Sequence, residues 1–302
     1  MFLRNQADYR TILWVGLAVA LVAIQYTWPS TVWFLSPVSC YLAVACGVIS
    51  HNHNHQPTFS IKRLNYGFGH LLTFFYGYPT LMWIPTHNLN HHLFTNRPGD
   101  ATITWRHTNL NNLWVVLTYP FVSGFYQSEA VKTYIKRTKL KNRKMYARIL
   151  FQYTFWLGSY GFMLWLAWFL HSSEGNRTGL YVWFFAVILP AISSATVIMM
   201  FNYIQHVHAD AWSDHDHSRN FTSRSFNFLF FNNGYHTAHH QRPGLHWSLL
   251  REAHEQIAPR IDPALNEPSL WWFVIRQYFL APFIPRLGTQ QIGAAPSQSR
   301  TS

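Results

Sequence analysis

Three short stretches concentrate histidine at spacings that hold metal ions: His51-Asn52-His53-Asn54-His55, His87-Asn88-Leu89-Asn90-His91-His92 and His236-Thr237-Ala238-His239-His240. Residues three and four apart share a helix face, so His51 with His55, His87 with His91, and His236 with His239 and His240 present imidazoles side by side. The adjacent pairs His91-His92 and His239-His240 add a nitrogen turned by about a quarter circle. That suits two neighbouring metal ions better than one, as in the metal sites of helix bundles. The expected chemistry is that of a dinuclear centre.

The order HxxxH, HxxxHH, HxxHH resembles the three histidine boxes of the membrane-bound fatty acid desaturase superfamily, over roughly Thr11 to Tyr278. The resemblance implies two iron ions (Fe2+/Fe3+), O2 as co-substrate, and one more histidine from an NxxxH turn after the last membrane span. Asn202-Tyr203-Ile204-Gln205-His206 matches that turn. Carried over residue by residue, the metal ligands are His51, His55, His87, His91, His92, His206, His236, His239 and His240, with Asn202 a water-mediated neighbour of the cofactor. The third box opens with His236 and not glutamine, which resembles acyl desaturases other than the front-end type.

Imidazoles without a carboxylate among the boxes form a neutral ligand set, which keeps a bound oxidant electrophilic. The resemblance implies hydrogen abstraction from an unactivated methylene, twice, leaving a double bond in an acyl lipid, acyl-CoA or acyl-ACP. Transfer of oxygen to carbon on the same site would make the chain a hydroxylase or ketolase of a lipid or carotenoid, and the ligand residues do not choose between them. A histidine-rich membrane metal transporter is a more distant alternative. Transport sites lie near the bilayer midplane, whereas these clusters sit at the ends of apolar blocks. Only two cysteines occur, Cys40 and Cys46, without CxxC spacing, so no iron-sulfur site or disulfide framework is available. Electrons must therefore come from a separate carrier, ferredoxin-, rubredoxin- or cytochrome b5-like.

The elements that position the boxes follow from the apolar blocks. In 302 residues, 49% are hydrophobic and 11% charged, which points away from an ordinary soluble domain. The mean hydropathy of -0.04 averages apolar blocks with histidine-rich and polar segments, and only the blocks matter to a bilayer. The expected fold is an all-α integral membrane protein. Four transmembrane helices, about 11–28, 31–50, 149–170 and 180–201, form two hairpins, with interfacial helices and a cytoplasmic histidine-rich cap. The outline of Met1 to Trp28, with Ala18-Val19-Ala20, also fits a cleaved signal peptide. Residues 1–286 are expected as a single domain and 287–302 as a disordered tail.

Arg4, Arg10 and the run Lys132 to Arg148 place both termini and all three boxes in the cytoplasm, in a bacterial inner membrane by preference over the endoplasmic reticulum. A net charge of +12 fits nucleic-acid binding, but its concentration beside an apolar span reads as membrane orientation, with no nucleic-acid partner. Lys136, Arg137, Lys139, Lys141, Arg143 and Lys144 suit contact with anionic lipid, and also docking of an acidic carrier. Asn65 to Ile84 is apolar, but boxes one and two must meet on one side of the bilayer, so it is expected as helices in the interface. Leu113 to Gln127, broken by Pro120 and Gly124, is expected as another short interfacial helix.

His53 falls nearly opposite His51 and His55 on a helix, yet shares their face if the segment is extended. Asn52, Asn54, Asn88 and Asn90 read equally as partners that orient imidazoles and as helix caps. Asp210, four residues past His206, is within reach of an imidazole, though a solvated acid is the plainer reading, and His208, His215 and His217 alternate with acids as a polar loop. His171 falls in the loop on the far side of the membrane.

Overall fold

The computed structural model describes residues 2–174 and 176–293. Its contacts divide the chain into two compact units, Met1–Trp83 with Tyr134–Ile198, and Ile84–Thr133 with Met199–Ser302. Helices make up most of both, and the strands are one parallel pair of two residues each.

In the first unit, α1 (Asp8–Thr27) and α2 (Val32–His55) are joined by the turn at Pro29. The second helix continues past Ser50 to His55, so the first histidine box forms its last turns. Next, α3 (Lys62–Tyr76) is amphipathic and has 15 residues, about 22 Å of helix and too short to cross a bilayer core of about 30 Å. It ends at Gly77, whose φ of 82° is left-handed and whose added Cβ would stand 2.9 Å from Ala191. Only glycine takes that position without strain.

Leu113–Lys141 is a single helix, α4, in place of the short broken segment expected there. Pro120 removes one backbone bond, but its neighbour Tyr119 is buried and donates its hydroxyl to the Thr102 carbonyl at 2.6 Å. That anchoring holds the chain helical on both sides. Asn142 separates α4 from α5 (Arg143–Leu170) and caps it by accepting from the Met145 amide. Then come α6 (Asn176–Trp183), a π-helical turn at Phe184–Ile188, and α7 (Leu189–His206). In the first unit, α2 packs against α1 and α3, and α5 against α3 and α6. The Tyr26 hydroxyl donates to the Met163 carbonyl, and the Gln152 side chain ties Leu81 and Thr80 to α5.

Among the described residues, three helical stretches are long and apolar enough to cross a membrane by length and composition: Asp8–Thr27, Pro29–His55 and Arg177–His206. The remaining expected span, 149–170, lies within α5, whose 28 residues carry Trp, Tyr and Gly that lower its hydropathy. Phe151, Leu157, Phe162, Trp165, Trp168 and Phe169 are exposed along it.

The second unit holds the other two boxes. After α7, β1 (Asn220–Phe221) pairs with β2 (Asn266–Glu267). Around them lie α8 (Arg224–Leu229), α9 (His236–Gln241), α10 (Leu250–Ile257) and α11 (Leu270–Ile275). Ala238, Ala253, Ile257, Ile261 and Leu265 form a buried cluster beneath them. Of the stretch expected as a disordered tail, residues up to Gly293 are described and bonded: the Ile292 amide donates to His208, and the Thr289 amide to Gln277. Residues 294–302 of that stretch lie outside the described residues.

Candidate metal centre

The second box is wound as a π-helix, Ile84–His91, followed by a turn at His92–Phe94. A π-turn brings residues five apart into register, where an α-helix aligns residues four apart. His87 consequently meets His92, their Nε2 atoms 3.0 Å apart. Its expected face-mate His91 points its own Nε2 to His240, at 3.2 Å.

The third box sorts in the same way. On α9, His236 and His240 are one α-turn apart and their Nε2 atoms stand 3.1 Å from each other, while His239 meets His92 at 3.1 Å. His206, at the last turn of α7, approaches His236 at 3.0 Å. Two sets result within the second unit. In each, His91 with His206, His236 and His240, or His87 with His92 and His239, the ligand atoms lie within 4.8 Å of one another. The adjacent pairs His91-His92 and His239-His240 are the residues divided between the sets, as the quarter-turn argument expects.

Four nitrogens bound about 2.1 Å from one ion in a tetrahedron lie roughly 3.4 Å apart. The close nitrogens of the first set are spaced at 3.0 to 3.2 Å, the size of a cage for one such cation. The tautomers agree. The Nδ1 of His206 meets the His217 carbonyl at 3.0 Å, so that nitrogen carries the proton and Nε2 keeps its lone pair. Burial, together with the imidazoles of His92, His236, His91 and His206, drives His240 well below the usual histidine range, into the neutral form that binds metal.

His91 is held from behind by Asp100, Nδ1 to Oδ2 at 2.8 Å, with Thr102 at 2.9 Å from the same nitrogen. The Asp100 carboxylate also accepts from the amides of Asn96 and Thr102 and from the Thr102 hydroxyl. Burial alone would raise its pKa, but His91 and the Thr102 donors more than offset this and bring it down to about 2. Asn96 extends the network by donating to the His206 carbonyl. Asp100, Thr102 and Asn96 are outside the reading from sequence. Their one local signal is the Pro98-Gly99-Asp100 turn directly after the second box.

His51 and His55 lie together at the end of α2 in the first unit, ring centroids 4.8 Å apart. His53, on the same turns, has both nitrogens engaged, Nδ1 with Thr58 and Nε2 with the Asn65 carbonyl. Asn202 donates its amide to the Tyr119 hydroxyl at 2.8 Å. Asp210 accepts from the Trp212 amide in its own loop, in keeping with the plainer reading, and the His206 ring is met by the His217 carbonyl. His208 lies between the Asn109 carbonyl and Thr289, and His215 meets Gln241. His171 meets the Tyr26 carbonyl in the first unit.

Gly234 explains the local chain path of the third box. A Cβ there would stand 2.1 Å from the Phe221 carbonyl and 2.7 Å from Asn227. The chain thus passes against β1 where no side chain fits, and enters α9 with His236 turned inward.

Comparison with known families matches residues 7–276 to the fatty acid desaturase family. No curated protein and no solved structure matches the chain.

Proposed function

The chain belongs to the fatty acid desaturase family, and from that premise we propose that it is a membrane di-iron oxidoreductase that desaturates an acyl chain. One observation carries this reading: seven imidazoles of the second unit divide into two sets, each of a size to hold one metal ion. The substrate is an acyl lipid, acyl-CoA or acyl-ACP. Iron held by these residues would activate O2, which is the oxidant: with two electrons from the carrier and two protons it takes up the two hydrogens lost from adjacent methylenes and is reduced to two waters.

The residues of this chain supply orientation and burial. Asp100 and the His217 carbonyl fix the rings of His91 and His206, which are themselves buried at 1% and 0% exposure. His51 and His55 are assigned as further metal ligands. The support is their pairing at the end of α2 and the position of the first box in the family. Asn202 is assigned a water-mediated place beside the first set. One of its two amide N–H donors goes to the Tyr119 hydroxyl, which leaves the other donor and the amide oxygen for that contact.

The proposed topology has α5 as a fourth span beside the three apolar stretches, with the boxes on the cytoplasmic side of a bacterial inner membrane. A separate electron donor approaches that face, and Arg137, Lys139, Lys141 and Lys144, all exposed, attract an acidic one. Exchanging the four for glutamine should slow reduction by the carrier and flatten its salt dependence. Unchanged carrier kinetics would leave the run to membrane orientation alone.

Lipid profiling of a host expressing the chain tests the reaction. New double bonds at unchanged oxygen content are expected, dependent on O2. Hydroxylated or keto products without new double bonds would assign the same centre to oxygen insertion.

A further inference from the structure

Within the second unit, a cavity of about 300 Å3 is lined by Arg219, Glu267, Arg276, Arg286, Gly288 and Thr289, among others. Three guanidiniums and one carboxylate therefore line it. Arg276 is paired with Glu267 and also donates to the Leu287 carbonyl, and Arg286 is exposed. Arg219 is 1% exposed. Its Nη1 donates to the carbonyls of Ile204 and Val207 at 2.9 and 3.0 Å, and its buried Nε has no hydrogen-bond partner. Burial lowers Arg219 to about 10, with Glu267 opposing, so it stays cationic at neutral pH.

A buried cation with an unspent donor is costly unless something completes it. We propose that this cavity is an anion site that takes a phosphate group between Arg219, Arg276 and Arg286. Guanidinium forks match phosphate oxygens two at a time, and here they outnumber the one acid. The volume is at the lower end for ligand sites, which suits a phosphate or pyrophosphate group.

The site is separate from the imidazole sets but tied to one of them. Arg219 closes the carbonyl end of α7 on both sides of His206, through Ile204 and Val207, and its own amide donates to Gln205 at 2.6 Å. An anion that settles Arg219 therefore also steadies the turn that presents His206. The phosphate has two sources to separate, a soluble anion and the headgroup of a membrane lipid.

The test uses the full purified chain at constant ionic strength. Pyrophosphate and inorganic phosphate are titrated in detergent by calorimetry, with the melting temperature as a second readout. The lipid arm compares melting in nanodiscs of phosphatidylglycerol and of phosphatidylcholine. Saturable pyrophosphate binding, weakened roughly tenfold in Arg286→Gln and in Arg276→Gln, is the expected result for a soluble anion. A phosphatidylglycerol-dependent rise in melting temperature, lost in the same variants, assigns the site to a lipid headgroup. Because Arg286 is exposed, its variant leaves the fold intact and keeps the test decisive if Arg276→Gln does not fold. Absence of both effects in the unsubstituted chain overturns the proposal. So does binding that Arg286→Gln leaves unchanged.

Discussion

His91 and Asp100, nine residues apart, are joined by a buried bond of 2.8 Å from Nδ1 to Oδ2. The carboxylate sets which nitrogen of the ring is protonated and leaves Nε2 facing the Nε2 of His240 at 3.2 Å, with the ring centroids of His206 and His240 each 4.8 Å from that of His91.

Asp100→Asn keeps the volume and removes the carboxylate. Metal affinity is expected to fall roughly 10- to 100-fold, measured by competition with a chelator on the purified protein. The same variant should also be destabilised, since the amide loses an acceptor for Asn96, Thr102 or His91. Unaltered iron retention would make Asp100 a structural residue only.

The division of imidazoles into two sets predicts that variants lose iron selectively. His206→Ala and His240→Ala should lose about half of the bound iron first from one position, and His239→Ala from the other, with turnover abolished in all three. Iron analysis combined with Mössbauer spectra distinguishes the positions. His171→Ala serves as the control, with iron and activity retained. Identical spectra for the residual iron in the His206 and His239 variants would mean the two sets are not two metal positions.

Gly234→Ala puts a methyl group into the Phe221 carbonyl. We expect a loss of about 1–3 kcal/mol, seen as a lower melting temperature in detergent, together with weaker iron retention because α9 is displaced. A variant as stable as the parent would show that β1 yields more easily than its packing suggests.

The four-span topology predicts opposite labelling. Single cysteines at Ser173 and at Lys139, both exposed, in a chain with Cys40 and Cys46 replaced, should react with impermeant reagents from opposite sides of the membrane. Same-side labelling would remove α5 from the set of spans.

The clustering histidines, the apolar runs that carry them and the desaturase family were legible in the sequence, because residue type is given directly and helix faces repeat locally. The pairing of the nitrogens was not. His87 joins His92 instead of His91 because the segment winds as a π-helix, and such a winding has no reliable signature in residue spacing. Asp100 reaches His91 through a loop. The His206 ring is held by the carbonyl of His217, a backbone group that every residue carries and that no sequence pattern singles out. The continuity of α4 through Pro120 likewise rests on where Tyr119 finds a carbonyl. Local sequence thus determined which groups are available to hold metal, and tertiary packing decided which of them face one another, since that depends on contacts between segments far apart in the chain.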